Sequence, residues 1–134
     1  MEEYIQTLFV ENEELSTYTW VVYVLRSETN PNLMYCGMTN NLRRRLRQHN
    51  GCIKGGGKYT SANRPWKLAA LIPNLKDRSE ALKVEHWTKA KNYKSQEGIP
   101  TDCPVKRRIY LLERTMEIHD LEEVLYFDPD FLSL

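Results

Sequence analysis

The chain has 134 residues, of which 28% are charged and 41% are apolar or aromatic, with a formal net charge of +1. This length and composition predict one ordinary globular domain with a hydrophobic core of its own. No apolar run approaches the roughly 20 residues that a membrane-spanning helix needs, and a net charge near zero indicates no partner by itself.

The first predicted elements are a short strand or ordered arm over 4–10 and a hairpin. Residues 19–27 are rich in β-branched and aromatic side chains, which favour a buried strand. After a polar turn, residues 33–39 are spaced as the return strand of the hairpin.

A helix over about 41–50 follows the hairpin, with Asn40 or Asn41 as its N-cap. Residues 51–66 are interpreted as a glycine-rich basic loop. A third strand is predicted over 67–74.

The second half of the chain is predicted to be mostly helical. One helix runs from about Asp77 to Tyr93, with Asp77 or Ser79 as its cap. Another helix and a tail follow after about residue 105. The order of elements predicts a small α/β domain of the α+β type, with antiparallel strands in one sheet.

The charges are unevenly distributed. The stretch from Thr29 to Lys76 has nine Lys or Arg and no Asp or Glu, whereas residues 1–18 hold five acids and residues 115–134 hold six. A basic block attracts polyanions, of which nucleic acid is the usual one. The alternative is that the basic face pairs with the protein's own acidic ends, and charge alone does not choose between them.

The cysteines bear on the cellular compartment. Cys36, Cys52 and Cys103 are odd in number and lack the spacing of metal ligands. They are interpreted as reduced thiols, which predicts a cytoplasmic or nuclear protein.

The arginine-rich helix has one position that stands out. Arg45 and His49 are four residues apart and share one helix face, while Leu42 and Leu46 anchor the neighbouring stripe. A guanidinium held in this way can bind a phosphate through two hydrogen bonds and stabilise charge in a transition state. The alternative is a helix of solvent-exposed arginines.

A carboxylate lies on the core-facing side of the predicted helix that begins near Asp77. On a helical wheel, Glu85 falls between Ala81 and Leu82, with Val84 on the far side of the same arc. A buried charge is unfavourable unless it is paired or binds a cation. One carboxylate, water and phosphate oxygens suffice as ligands for Mg²⁺. The alternative is an ion pair between Glu85 and a core-facing arginine.

Two tyrosines lie on the arms of the hairpin. Tyr23 and Tyr35 are either core aromatics with satisfied hydroxyls or groups that position water and relay a proton. Gly37 has no side chain and so allows close approach of another element.

Basic and aromatic residues of the helix and the following loop are candidate DNA contacts, because such mixtures are common on nucleic-acid-binding surfaces. The alternative for the loop is a mobile, solubilising connection. The candidates are Arg43, Arg44, Arg47, Lys54, Lys58, Arg64 and Trp66.

Taken together, these residues resemble the GIY-YIG nuclease family. Its two signature tripeptides correspond to residues 21–23 (VVY) and 35–37 (YCG). The family's arginine, eight residues after the signature glycine, corresponds to Arg45, and the His or Tyr four further on to His49. The glutamate of the later helix corresponds to Glu85.

The resemblance implies a three-stranded antiparallel sheet flanked by helices and cleavage of DNA that depends on Mg²⁺ or Mn²⁺. Arg45 would stabilise the phosphate and Glu85 would bind the metal. Tyr23, Tyr35 and His49 would surround the attacking water. The resemblance does not decide which of the three is the general base; on chemical grounds a tyrosine hydroxyl near the metal, assisted by His49, is favoured.

The resemblance covers about residues 19–93. Within it, residues 57–72 (GKYTSANRPWKLAALI) are similar to the corresponding segment of stand-alone bacterial members and of the catalytic subunit of eukaryotic Holliday-junction resolvases. We predict a nuclease domain over 19–95, an acidic arm or strand over 1–18 and a C-terminal helical extension over 96–134. The extension is interpreted as a partner surface, a specificity element or a packing helix.

Three functions are compatible with the sequence. The leading hypothesis is an endonuclease that hydrolyses DNA, of a kind specific for branched or flapped structures in repair or recombination. The alternatives are a nucleic-acid-binding module of the same fold that does not cleave, and an interaction protein whose acidic C-terminal segment recruits a nuclease.

Overall fold

The computed structural model describes residues 1–89 and 98–133. Their centre is one antiparallel sheet with the strand order β2-β1-β3-β4, which has helices on both faces. The strands are β1 (Trp20–Ser27), β2 (Met34–Thr39), β3 (Trp66–Leu75) and β4 (Leu125–Tyr126).

A 3-10 turn, Glu13–Ser16, and six α-helices surround the sheet in the described part of the chain. None of these helices is long and apolar enough to cross a membrane. The helices are α1 (Glu2–Glu11), α2 (Leu42–His49), α3 (Lys58–Ala62), α4 (Arg78–Trp87), α5 (Pro104–His119) and α6 (Pro129–Leu132).

Strand β1 separates two hydrophobic cores, because its alternate side chains point to opposite faces of the sheet. Tyr23 and Leu25 belong to one core, which α1 and α2 cover. Val22 and Val24 belong to the other, which α4, α5 and α6 cover. Tyr23 therefore points toward the arginine-rich helix α2.

The predicted fold class is confirmed, with one more strand than predicted. The fourth strand lies in the C-terminal segment, where Leu125 pairs with Leu71 and Tyr126 with Ala70 of β3. A strand of two residues has too short an apolar pattern to be distinguished from a tail. The C-terminal segment thus adds a strand to the sheet as well as helices.

The prediction of a strand over 4–10 is wrong, since residues Glu2–Glu11 form helix α1. The buried side chains are Ile5, Leu8 and Phe9, whose spacing of three and four is that of one helix face. Packing of this face on α2 determines the outcome, although the segment also contains good strand formers.

Three boundaries differ from the predictions. The loop over 51–66 contains the short helix α3, and β3 extends from Trp66 to Leu75 rather than over 67–74. Asp77 is the cap of α4, because its Oδ1 accepts the Glu80 N–H at 2.8 Å. Helix α4 ends at Trp87, and residues 90–93 of the predicted longer helix lie outside the described part.

Candidate active site

Gly37 permits the two signature tyrosines to pack together. It lies directly opposite Tyr23 in the register of β1 and β2. A Cβ at this position would lie 2.6 Å from Tyr23 Cζ and 3.0 Å from Tyr35 Cε2, which is too close for unbonded atoms. The absence of a side chain thus makes room for the buried Tyr23 ring.

Helix α2 holds Arg45 and His49 above that ring. Asn41 caps the helix, since its Oδ1 accepts the Arg44 N–H at 3.1 Å. Leu42 and Leu46 are buried on the face that packs on the sheet. The hydrophobic stripe therefore fixes the rotation of the helix and brings His49, which is 1% exposed, into the interior.

Three buried side chains form a hydrogen-bonded chain. The Tyr23 hydroxyl lies 2.8 Å from His49 Nε2, and His49 Nδ1 lies 3.0 Å from Thr60 Oγ1. The Thr60 hydroxyl donates to the Gly57 carbonyl at 3.3 Å. Because the Thr60 proton is used in this bond, the Thr60 oxygen accepts a hydrogen bond from His49 Nδ1–H. We therefore assign the lone pair to His49 Nε2, which accepts the hydrogen bond of the Tyr23 hydroxyl.

The electrostatic surroundings keep both groups neutral. Burial, followed by the positive charges of Arg45 and Arg64, lowers the pKa of His49 to about 4. Burial raises the pKa of Tyr23, and Arg45 only partly opposes this effect. At neutral pH the pair is a phenol and an imidazole, so His49 has a lone pair available for the tyrosine proton.

Arg45 is held beside this pair. Its Nη1 donates to Gln48 Oε1 at 2.8 Å and to the Gly55 carbonyl at 2.9 Å. The half-buried guanidinium is close enough to Tyr23 to counteract the effect of burial on the tyrosine pKa. A planar, permanently charged donor in a fixed position is suited to binding a phosphate.

Glu85 approaches from α4 on the far side of Tyr35. Its side chain is 17% exposed and its Oε1 lies 3.1 Å from Lys89 Nζ. The predicted alternative, an ion pair with a core-facing arginine, is therefore wrong about the partner. Glu85 lines an open cavity of about 340 Å³, whose walls are Met34, Tyr35, Cys36, Tyr59, Glu85, Lys89 and Arg108.

Tyr35 connects the two halves of the site. Its ring centroid lies 4.9 Å from that of His49 and 6.2 Å from that of Tyr23, and its side chain also lines the cavity of Glu85. Tyr35 thus packs against the Tyr23–His49 pair and lines the cavity of Glu85 at the same time.

The described residues contain no group of three or more His, Cys, Asp or Glu side chains that could enclose a metal ion. Mg²⁺ does not require such a group, because it commonly retains waters and binds through one or two carboxylates and substrate phosphates. A single, partly buried carboxylate that opens on a cavity fits this mode. Glu85 is the residue that could hold a divalent cation here.

The predicted DNA contacts fall into separate groups. Arg43, Arg44, Lys54 and Lys58 are exposed. Arg47 forms an ion pair with Glu2 at 2.8 Å.

Arg64 and Trp66 lie further inside. Arg64 Nε donates to the His49 carbonyl at 2.8 Å. Trp66 is fully buried and donates its Nε1–H to the Thr60 carbonyl at 2.6 Å. The prediction that Trp66 contacts DNA is wrong, since its ring fills the core beneath α3.

The sequence reasoning missed several residues of the site. Lys89 follows Glu85 by four positions within the predicted helix, and this spacing could have indicated the ion pair. Gln48 follows Arg45 by three positions on α2, and this spacing could likewise have indicated their contact. Thr60 and Arg108 gave no local signal, because their contacts join segments that are distant in sequence or depend on loop conformation.

Comparison with known proteins finds several similar sequences. The protein named structure-specific endonuclease subunit SLX1 of Debaryomyces hansenii is 47% identical over 68 residues, or 48% of this chain and 20% of that protein. Its namesake in Podospora anserina is 46% identical over 68 residues. That of Yarrowia lipolytica is 33% identical over 101 residues, or 73% of this chain and 34% of that protein.

The chain spans only about a fifth of the length of the first two relatives and about a third of the third. The family model described as the GIY-YIG catalytic domain matches residues 19–97. This range includes both signature strands, helix α2 and Glu85. The chain therefore belongs to the GIY-YIG family.

Proposed function

We propose that this protein is a divalent-metal-dependent endonuclease that hydrolyses phosphodiester bonds in branched or flapped DNA, in repair or recombination. One observation carries the proposal: Tyr35 packs against the neutral Tyr23–His49 pair and lines the cavity of Glu85. The cation of Arg45 lies near the same pair, since its charge affects the pKa of both Tyr23 and His49. A module that only binds DNA would need the arginines but not the buried proton-accepting pair. The substrate class rests on the printed names of the relatives, which are structure-specific endonuclease subunits.

Arg45 binds and stabilises the phosphate in the proposed mechanism. Gln48 and Gly55 hold its Nη1 before the substrate arrives, so little ordering is needed on binding. Negative charge on the phosphoryl oxygens increases in the transition state, and a preorganised cation stabilises that charge.

The Tyr23–His49 pair acts as the general base. The attacking water transfers a proton to the Tyr23 hydroxyl oxygen while the Tyr23 proton passes to His49 Nε2. The water oxygen bonds to phosphorus as the bond to the leaving oxygen breaks, and solvent protonates that oxygen. A tyrosinate is not required beforehand, which is consistent with the raised pKa of Tyr23.

Substrate binding makes His49 a stronger base. The charges of Arg45 and Arg64 contribute to its low pKa. A bound phosphate partly neutralises these charges, so the pKa of His49 rises toward its usual value when the substrate is present.

Glu85 would hold Mg²⁺ or Mn²⁺ on the opposite side of Tyr35. A divalent cation bound there supplies charge neutralisation for the phosphate. Lys89 would have to give up its contact with Glu85, so the lysine and the metal compete for one carboxylate.

The proposal is tested with labelled duplex, flap, fork and four-way DNA, each incubated with Mg²⁺, Mn²⁺ or EDTA. We expect wild-type cleavage of branched DNA with either metal and none with EDTA. Arg45→Ala should lower the rate by about 100-fold or more, and Glu85→Gln should abolish the response to metal. Arg78→Ala removes an equal charge from an exposed position outside the site and serves as the control.

Two results would refute the proposal that the protein is an endonuclease. One is the absence of cleavage in any DNA or metal, and the other is equal cleavage by wild type, Arg45→Ala and Glu85→Gln. Binding without cleavage, with a steep loss in salt, would instead support the non-cleaving module.

A protein partner at the C-terminal extension is a further part of the proposal. The relatives are named as subunits, which supports a partner for them and motivates one here. Val105, Leu112 and Phe131 bury the inner side of the described part of the extension in the core, so a partner would contact its outer side.

None of the three cysteines forms a disulfide, which is compatible with the predicted cytoplasmic or nuclear location.

A further inference from the structure

We propose that the cavity between Tyr59 and Arg108 binds one unpaired nucleotide beside the scissile phosphate. This inference rests on the proposed function, because it assigns a part of the substrate to the open side of the same site. It concerns two residues to which the catalytic mechanism gives no role. One of them, Arg108, lies outside the residues that the family model matches.

Tyr59 is an exposed aromatic residue in the wall of the cavity. Its ring is 6.1 Å from that of Tyr35 and 5.7 Å from that of Trp66, measured between centroids. Its hydroxyl donates to the Met34 carbonyl at 3.4 Å. Although the ring is supported on these sides, Tyr59 remains 45% exposed, which gives a preordered surface on which a base can stack.

Arg108 reaches the same cavity from helix α5. Its Nη1 donates to the Thr88 carbonyl at the end of α4, at 2.7 Å. The guanidinium is thereby held in place through one of its nitrogens. An anchored, permanently charged donor is suited to binding an anionic oxygen, and a DNA phosphate supplies one.

The two side chains together define the ligand. The cavity of about 340 Å³ has the size of a small-ligand cleft, for which roughly 300–1,000 Å³ is typical. It combines an aromatic surface with a cation, which match the base and the phosphate of one nucleotide. Glu85 lines the same cavity, so this nucleotide would adjoin the phosphate that is cleaved.

The base that stacks on Tyr59 must be unpaired. In continuous duplex both faces of a base are covered by its neighbours, and only its edges are accessible in the grooves. A nucleotide at a flap or branch point has already lost a neighbour and can enter the cavity at a lower energetic cost. The subsite would therefore favour branched DNA over continuous duplex.

Binding is tested first without catalysis. A flap with 2-aminopurine at its junction nucleotide is titrated with wild-type protein in EDTA. We expect quenched fluorescence on binding, because the base stacks on Tyr59. Tyr59→Ala should lose the quenching and Tyr59→Phe should keep it. Unchanged 2-aminopurine fluorescence in the wild-type complex would overturn the proposal.

Cleavage gives the second test. We expect Tyr59→Ala to lower the ratio of flap to duplex kcat/KM by about tenfold, a loss within the range of one base-stacking contact. Arg108→Gln should lower the same ratio and reduce the slope of log affinity against log salt by about one. Lys106→Gln changes the same charge at an exposed site of α5 and should alter neither quantity. An equal loss on flap and duplex in Tyr59→Ala would contradict the subsite.

A substrate with an abasic junction nucleotide requires no variant and so does not depend on folding. Wild-type protein should cleave it about as slowly as Tyr59→Ala cleaves the intact flap, whereas unimpaired cleavage would overturn the proposal. The fluorescence result also separates this inference from the proposed function. If the protein cleaves no DNA but quenches the fluorescence of the junction base, the nucleotide subsite is supported and the proposed endonuclease activity is refuted.

Discussion

The Tyr23 hydroxyl oxygen and His49 Nε2 lie 2.8 Å apart in a buried hydrogen bond, and the two residues come from a central strand and from the helix that covers it. The bond couples a tyrosine whose pKa is raised by burial to a histidine whose pKa is lowered to about 4. Neither residue is an effective base alone at neutral pH, but together they can accept a proton from water and pass it on.

This coupling predicts non-additive losses. Tyr23→Phe and His49→Gln should each lower the single-turnover cleavage rate by about 10²–10⁴, the usual contribution of general-base catalysis. The double variant should be little worse than either single variant, because each breaks the same relay. Tyr126→Phe, on β4, provides a matched hydroxyl deletion outside the site.

The measurement is single-turnover cleavage at saturating metal and DNA, with DNA affinity determined separately. Losses that multiply in the double variant would show that Tyr23 and His49 act independently and would contradict the relay.

Gly37→Ala should destabilise the protein. The added methyl group would lie 2.6 Å from Tyr23 Cζ, and forcing a methyl group into a packed core typically costs about 1–3 kcal/mol. The atom nearest to this methyl group is the Tyr23 hydroxyl oxygen. Tyr23→Phe removes that oxygen, so the double variant should recover part of the lost stability. Urea denaturation measures the free energy of unfolding. Gly57→Ala is the control, since nothing lies within 4 Å of its added methyl group.

An equal stability of Gly37→Ala and Gly57→Ala would refute the steric explanation. So would a Tyr23→Phe background that leaves the effect of Gly37→Ala unchanged.

His49 should make the protein sensitive to acid. Its pKa is about 4 in the folded state and about 6.5 in an unfolded chain. Between these values the unfolded chain binds a proton that the folded protein does not, so stability falls as pH decreases from 6.5 to 4. The full loss from this residue is about 3 kcal/mol, and above pH 6.5 it contributes no pH dependence.

The check is urea denaturation of wild type and His49→Gln at pH 7, 6, 5 and 4. The difference in unfolding free energy between the two should shrink by about 3 kcal/mol at the acid end. A constant difference across this range would mean that the pKa of His49 is not lowered in the folded protein.

The elements that carry Tyr23, Arg45 and His49 could be predicted because their signals are local. Strand β1 has a run of β-branched and aromatic residues, and α2 has its leucines four apart and an asparagine cap. Helix α1 was not predicted, because its burial depends on packing against α2. Strand β4 was not predicted either, since it exists only through pairing with β3.

Contacts between segments that are distant in sequence also limit how much of the site could be predicted. The sequence places Glu85 on an inward arc, but it does not show that Lys89 is the partner in place of an arginine. It also gives no sign that Trp66 is buried under α3 rather than facing DNA. Both outcomes depend on how helices α3 and α4 sit on the sheet.

Thr60 provides the last prediction, because it determines which nitrogen of His49 carries the proton. Thr60→Val keeps the shape but removes the acceptor of His49 Nδ1–H, whereas Thr60→Ser keeps the hydroxyl. In Thr60→Val the imidazole loses its preference for the tautomer with a lone pair on Nε2. We expect the cleavage rate of Thr60→Val to fall by about tenfold to 100-fold, as is typical when a partner that orients a histidine is lost. Thr60→Ser should stay near wild type.

Nitrogen-15 chemical shifts of the His49 ring report the tautomer directly. An unchanged Nδ1–H tautomer in Thr60→Val would contradict the assignment even if cleavage slowed. A purely structural role of Thr60 would slow cleavage without shifting the proton between the two nitrogens.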